Sequence, residues 1–203
     1  MIQADEALQR LKDGNARFVN ETRNGHVAES RRREVAESQN PFAIILGCSD
    51  SRVPAEIVFD QGLGDLFVIR VAGNIVAPSQ IGSVEFGVAR FDVKLVVVMG
   101  HSRCGAITAT IEEMGRRSEE QSRNLRSIVD RVRPSVEVLM ATDLRNDHEA
   151  LVAAAVRANV RVSSNQLRHG SQMIEQMIQN DGLRVVGAEY SLESGVVEFF
   201  DTL

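Results

Sequence analysis

Reactive and aromatic residues are scarce in this chain. Its 203 residues include two cysteines, no tryptophan, one tyrosine and four prolines, and only two of its 23 basic residues, Lys12 and Lys94, are lysine. Two cysteines are too few for a disulfide framework or for a four-cysteine iron–sulfur cluster. No stretch approaches the roughly 18 apolar residues that span a membrane. The opening Met1-Ile2-Gln3-Ala4-Asp5-Glu6 has neither the basic start nor the apolar stretch of a secretory signal. A formal charge of −5 leaves no basic footprint for nucleic acid. The local run Arg31-Arg32-Arg33 is interleaved with Glu29, Glu34 and Glu37 and reads as a solvated helix face. The expectation is a soluble protein of a reducing, cytoplasmic compartment, with thiols free to bind metal and no nucleic-acid or membrane partner. Nothing in the sequence accounts for the preference for arginine over lysine.

What is present is a core. Apolar residues make up 43% of the chain, ample for one domain. Phe42–Gly47, Leu66–Arg70 and Lys94–Gly100 are short continuous apolar runs, suited to strands buried on both faces of a parallel sheet. Pro78–Phe91 lies between the second and third and is long enough for a crossover helix. Helices are further predicted over Asp5–Val19 (weakened by Gly14), Ala28–Ser38, Ala106–Met114, Asn124–Met140 (kinked or broken at Pro134) and His148–Gln179 (interrupted at Gly170). Leu183–Tyr190 and Gly195–Phe200, joined by a tight turn, read as an antiparallel pair. The fold class is therefore α/β: a central, mostly parallel sheet with a C-terminal antiparallel strand, flanked by helices. The helices before the first strand have no sheet segment of their own to cover. They either cap the domain or reach across to another subunit.

Both cysteines sit just past apolar runs. Cys48 opens Cys48-Ser49-Asp50-Ser51-Arg52 after the first; His101-Ser102-Arg103-Cys104-Gly105 follows the third. Ligands of open α/β sheets bind beyond the carboxyl ends of the strands. If the two strands are parallel neighbours, Cys48, His101 and Cys104 converge on one edge. Two thiols and an imidazole suit zinc, and three protein ligands with an open fourth position suit catalysis; magnesium and calcium want oxygen. A structural site would want a fourth ligand, and His26, His148 and His169 lack a comparable strand-end setting. Asp50 is placed either to take the fourth position or to pair with Arg52 and leave it open. Taken singly, a cysteine at a strand end is more often core packing, and Asp50 with Arg52 could simply staple a turn. Their joint occurrence favours a metal.

Cys48-Ser49-Asp50-Ser51-Arg52-Val53-Pro54 together with His101-Ser102-Arg103-Cys104-Gly105 resembles the β-class carbonic anhydrases. Leu11-Lys12-Asp13-Gly14-Asn15-Ala16-Arg17-Phe18, Gly64–Arg70, Gly73-Asn74 and Gly187-Ala188-Glu189-Tyr190 extend the likeness. The resemblance implies zinc on Cys48, His101 and Cys104, and reversible hydration of carbon dioxide to bicarbonate and a proton by zinc-bound hydroxide. It implies catalytic roles for Asp50, as orienting group or as fourth ligand in a closed state, and for its partner Arg52. It implies substrate contacts from Gln39 and a backbone N–H near Gly105, with Val53, Phe67 and Phe86 as an apolar wall. Gln39 would reach the site of a partner subunit, making a homodimer the minimum unit, with tetramers left open. The domain, 1–203, then divides into a helical arm over 1–40, extending onto the partner, and an α/β zinc-binding core over 41–203.

The same resemblance allows hydrolysis of carbonyl sulfide or carbon disulfide on this scaffold, or a non-catalytic zinc- or bicarbonate-binding sensor. One subclass binds regulatory bicarbonate through tryptophan, arginine and tyrosine. Gly47, Arg70 and Tyr190 match that site, but the tryptophan position is Ile45, so the triad is incomplete. Phe86 stands where relatives often carry tyrosine, so any proton-transfer role of a hydroxyl there is lost.

Overall fold

The computed structural model describes residues 2–23, 29–114 and 122–200. Its centre is a five-stranded sheet built from β1 (Ala43–Gly47), β2 (Leu66–Arg70), β3 (Leu95–His101), β4 (Arg184–Tyr190) and β5 (Val197–Phe200). The spatial order is β2-β1-β3-β4-β5; the first four strands run parallel and β5 antiparallel to β4. β1 and β3 are buried along their whole length, which is why they read as continuous apolar runs. β3 extends one residue past its apolar run because His101 still pairs with Tyr190 of β4.

Eight α-helices surround the sheet among the described residues: α1 (Ala4–Val19), α2 (Glu29–Glu34), α3 (Ala55–Val58), α4 (Pro78–Phe91), α5 (Gly105–Met114), α6 (Arg123–Met140), α7 (His148–His169) and α8 (Gln172–Asn180). The period-two alternation of the strands divides the core. Ile45, Val97 and Val186 face α1 and α3, whose Ala7, Leu8, Leu11, Ala55 and Val58 complete one cluster. Ile44, Leu46, Val96, Val98 and Val185 face the other way, onto Val84 and Val88 of α4, Val160 and Leu167 of α7 and Ile174 of α8. A third cluster at the carboxyl edge joins Cys48 and Cys104 to Ile107, Val132, Val136, Val152 and Val156 from α5, α6 and α7.

Of the two readings of the N-terminal helices, α1 follows the first: it caps the domain, laying its apolar stripe on its own sheet. Gly14 is not a weak point in that helix but a point of close approach, since a Cβ there would lie 1.8 Å from the Phe59 carbonyl oxygen. α6 runs through Pro134 without the break that was one of its two expected effects, with Val132 and Val136 on either side fully buried. Gly170 does interrupt the long helix, and Ser171 restarts it by accepting from the Ile174 amide at 3.2 Å. α2 is shorter than its charged pattern, and Ala28, its expected start, lies outside the described residues. The short helix α3 and the 3₁₀ turn Ala72–Asn74 were not anticipated.

Candidate metal centre

The adjacency the site required is present: β1 and β3 are hydrogen-bonded parallel neighbours, with Gly47 opposite Met99. Cys48 leaves β1, His101 ends β3 and Cys104 immediately precedes α5. Their ligand atoms lie within 4.8 Å of one another, all three residues are buried, and among the described residues no other such group occurs. The two sulfurs are 4.0 Å apart. Two thiolates each about 2.3 Å from a tetrahedral zinc would sit about 3.8 Å apart. The imidazole is aimed correctly. Nδ1 faces the Ser102 carbonyl at 2.9 Å and donates to it, which leaves the Nε2 lone pair free. Nε2 is fully buried with no hydrogen-bond partner among the described residues, an arrangement a bound cation would satisfy. Thiolate and imidazole are the donor set of zinc rather than of magnesium or calcium. His148 and His169 are exposed and stand outside the group; His26 lies outside the described residues.

The electrostatics agree. The Cys104 thiol beside it is the largest influence pulling the Cys48 thiol down to about 4, against burial and with help from His101 and the Gly73 amide. Cys104 is pushed far up by that same neighbour and by burial. Burial alone would lower the His101 imidazole, but the Cys48 thiolate outweighs it and the group is raised. The lowered Cys48 group is held as a thiolate, the form that ligates a metal.

Asp50 is committed to Arg52. The guanidinium donates from Nε to Oδ1 at 2.9 Å and from Nη2 to Oδ2 at 2.7 Å, and the Arg52 amide adds a third bond at 3.0 Å. These bonds hold the carboxyl well below the usual carboxylate range. Oδ2 stands 3.8 Å from His101 Nε2, beside the ligand set.

The family model for carbonic anhydrase matches residues 43–197. A carbonic anhydrase of Mycolicibacterium smegmatis is 40% identical over 193 residues, covering 95% of this chain and 91% of that one. The chain belongs to the β-class carbonic anhydrases. Carbonic anhydrase 2 of Mycobacterium tuberculosis is 39% identical over 191 residues, 93% of this chain and 89% of that one. The crystal structure of a β-carbonic anhydrase from Aspergillus fumigatus superposes with a TM-score of 0.76 at 26% identity, covering 98% of this chain and 91% of that one.

The remaining expected residues of this carbonic anhydrase fall into two groups. Gly105 directly follows the ligand Cys104, and Val53 closes the turn that carries Asp50. Val53 is buried and its amide donates to the Asp50 carbonyl at 3.1 Å; Gly105 begins α5, and a Cβ there would meet nothing within 4 Å. Gln39, Phe67 and Phe86 are elsewhere in the subunit. Phe67 pairs with Ile44, three residues before the end of β1, a separation of about 10 Å along the strand. With Phe86 and Phe91 it forms an aromatic cluster, ring centroids 5.9 to 6.0 Å apart, in which Phe86 is 55% exposed. Gln39 is exposed near Gly64, on the loop leading into β2.

Gly47 and Arg70 are register partners on β1 and β2. Tyr190 is separated from β1 by β3 and packs its ring near Phe18, centroids 6.4 Å apart. Ile45, at the tryptophan position, is fully buried. Arg70 does something the sequence reading missed: its guanidinium donates to the Cys48 carbonyl at 3.0 Å and to the Asp50 carbonyl at 2.5 Å, clamping the loop that carries both residues. The sequence carried no signal for this contact, which depends on β2 lying beside β1.

Proposed function

We propose that this protein catalyses the reversible hydration of carbon dioxide to bicarbonate and a proton, with zinc held by Cys48, His101 and Cys104. The observation that carries the proposal is the buried three-ligand set beside a carboxylate already tied to arginine. Zinc there would act as a Lewis acid, ionising water near neutral pH and so supplying the nucleophile. The chain's residues do the rest. Arg52 holds Asp50 away from the fourth ligand position. An ionised carboxylate only accepts hydrogen bonds, so Oδ2 selects a nucleophile that donates to it and turns the remaining lone pair toward the substrate carbon. The Gly105 amide at the start of α5 offers a donor for the oxygen on which charge develops. Val53 contributes apolar surface, as an uncharged substrate requires.

Gln39, Phe67 and Phe86 complete the pocket from a second subunit in this proposal. The place of Phe67 about 10 Å back along the strand from the ligand end and the exposure of Phe86 support that assignment. A homodimer is then the minimum unit. The β-carbonic anhydrases of Sordaria macrospora, which share the fold at a TM-score of 0.72, are described as tetrameric.

Stopped-flow measurement of carbon dioxide hydration by the zinc-loaded protein tests the reading. The expected result is a rate well above buffer at pH 8.5, and a rate equal to buffer would overturn it. Parallel turnover of carbonyl sulfide fixes the preferred substrate.

A further inference from the structure

Behind the metal site lies a buried amide that the proposed reaction does not use. Asn159 sits in the middle of α7, 1% exposed, beside the buried Ala155, Val156, Val160 and Ser163. An amide in such surroundings is costly unless it is paired, and Asn159 is only partly paired. Nδ2 donates to the Gly73 carbonyl at 2.7 Å, while Oδ1 has no partner among the described residues. An apolar side chain of similar size would remove the orphaned amide oxygen but leave the buried Gly73 carbonyl without its donor, so the residue is there for that carbonyl. Its one hydrogen bond is explained by what it holds.

Gly73 belongs to the Ala72–Asn74 turn, in the left-handed region at φ 67, with a notional Cβ only 3.1 Å from the Cβ of Ala106 on α5. Its N–H points at the Cys48 sulfur, 3.3 Å away. The two faces of this residue therefore connect α7 to a metal ligand: Asn159 grips the carbonyl and the amide grips the thiolate. The amide orientation of Asn159 is fixed by chemistry, because a carbonyl oxygen can only accept.

We infer that Asn159 is a positioning residue for the metal centre, holding the Gly73 turn so that its N–H stays on the Cys48 sulfur. That hydrogen bond restrains the Cys48 side chain and draws charge from the sulfur, leaving the bound ion a stronger Lewis acid. Outer-shell partners of this kind typically change metal affinity or activity about 10–100-fold when removed. The inference rests on the assignment of Cys48 as a metal ligand.

The test uses Asn159→Leu and Asn159→Ala, which remove the donor with and without filling the space, so that one well-folded variant suffices. Val160→Ala, an adjacent and fully buried position in α7, supplies generic core destabilisation. Two quantities are read on the full chain: zinc release to an excess of chelator, and the sulfur-to-metal charge-transfer band after cobalt(II) replaces zinc. The expected result is release at least about tenfold faster and a band shifted to longer wavelength in the Asn159 variants, with neither change in Val160→Ala. Unchanged release and an unchanged band in a folded Asn159 variant would overturn the inference. So would equal changes in Val160→Ala. Wild-type protein that binds neither metal would remove the ligand assignment as well, whereas normal wild-type binding with unaffected variants removes only the role of Asn159.

Discussion

Asp50 and Arg52 are joined so that the two carboxylate oxygens have different tasks. Oδ1 receives both the Arg52 amide and Nε, while Oδ2 receives only Nη2 and faces His101 Nε2 at 3.8 Å. Oδ2 therefore keeps accepting capacity on the side of the ligand set, and Oδ1 carries the anchoring. The pair is short in sequence and rigid in space because the turn after β1 brings residue 52 back over residue 50. Arg70 fixes that same turn from the neighbouring strand by holding the carbonyls of Cys48 and Asp50.

Asp50→Asn keeps the shape of the side chain but replaces one acceptor oxygen with a donor. If Oδ2 orients the nucleophile, hydration should fall by about 100-fold or more, while zinc content stays at one ion per chain. Metal analysis beside stopped-flow rates separates the two effects. Near-wild-type turnover in a zinc-replete variant would show that Asp50 only staples the turn.

Arg70→Ala should loosen the metal loop without touching a ligand. Two backbone carbonyls lose charged donors, which costs roughly 1–3 kcal/mol in stability and should speed zinc release about 10-fold or more. Arg70→Lys should restore little, because an ammonium cannot reproduce a planar fork across two acceptors. Chelator competition and thermal melts check both statements; zinc release at the wild-type rate in Arg70→Ala would count against the clamp.

Much of this was legible in the sequence because it rests on contiguous patterns. The buried strands announce themselves as apolar runs, and the ligands as polar corners directly after two of them. What escaped depends on contacts between distant segments. Arg70 reads as the polar end of a strand until β2 is known to lie beside β1. Gly73 reads as a loop glycine until Cys48 and Asn159 are found on its two sides, residues 25 and 86 positions away along the chain. α1 looks surplus to the sheet because its partners, Ile45 and Val97, are spent in the sequence pattern on the opposite alternation. Gln39, Phe67 and Phe86 are a different case: the family likeness alone named them, and Phe67 and Phe86 lie in an aromatic cluster back along the sheet from the ligand end.

Arg157 should govern the pH dependence of stability. Glu189 and Glu198 stand directly opposite each other on β4 and β5, an unfavourable like-charge pair, and Arg157 bridges them at 3.1 and 2.8 Å. Burial raises the Glu189 carboxyl, whereas the Arg157 hydrogen bond lowers Glu198. The lowered group contributes stability above its unfolded value of about 4.3, and that contribution is lost as pH falls through the folded value. The raised group acts in the opposite sense, taking up its proton first as pH falls. Arg157→Ala should therefore cost about 1–2 kcal/mol at pH 7.5, and its gap from wild type should begin to narrow near about pH 4.3 and close only below it. Thermal melts across that range test it; a gap that widens with acid would refute the bridging role.

Gly14→Ala should be far worse than helix propensity suggests. In an exposed helix interior alanine is favoured over glycine by about 1 kcal/mol. Here the added Cβ would lie 1.8 Å from the Phe59 carbonyl oxygen and 2.8 Å from Gln61 Nε2. The helix cannot back away, because Asn15 binds it to three separate backbone groups: the Val58 carbonyl at 3.1 Å, the Gly195 carbonyl at 2.8 Å and the Val197 amide at 2.8 Å. Either those buried bonds break or the turn after α3 shifts, so a net loss of roughly 3 kcal/mol or more is expected, a fall in Tm of about 6–12 °C for a chain of this size. Gly82→Ala in α4 is the matched control, since a Cβ there meets nothing within 4 Å and only the propensity gain should remain. If both variants melt alike, the close approach of α1 to the Phe59 backbone is not what requires glycine at position 14.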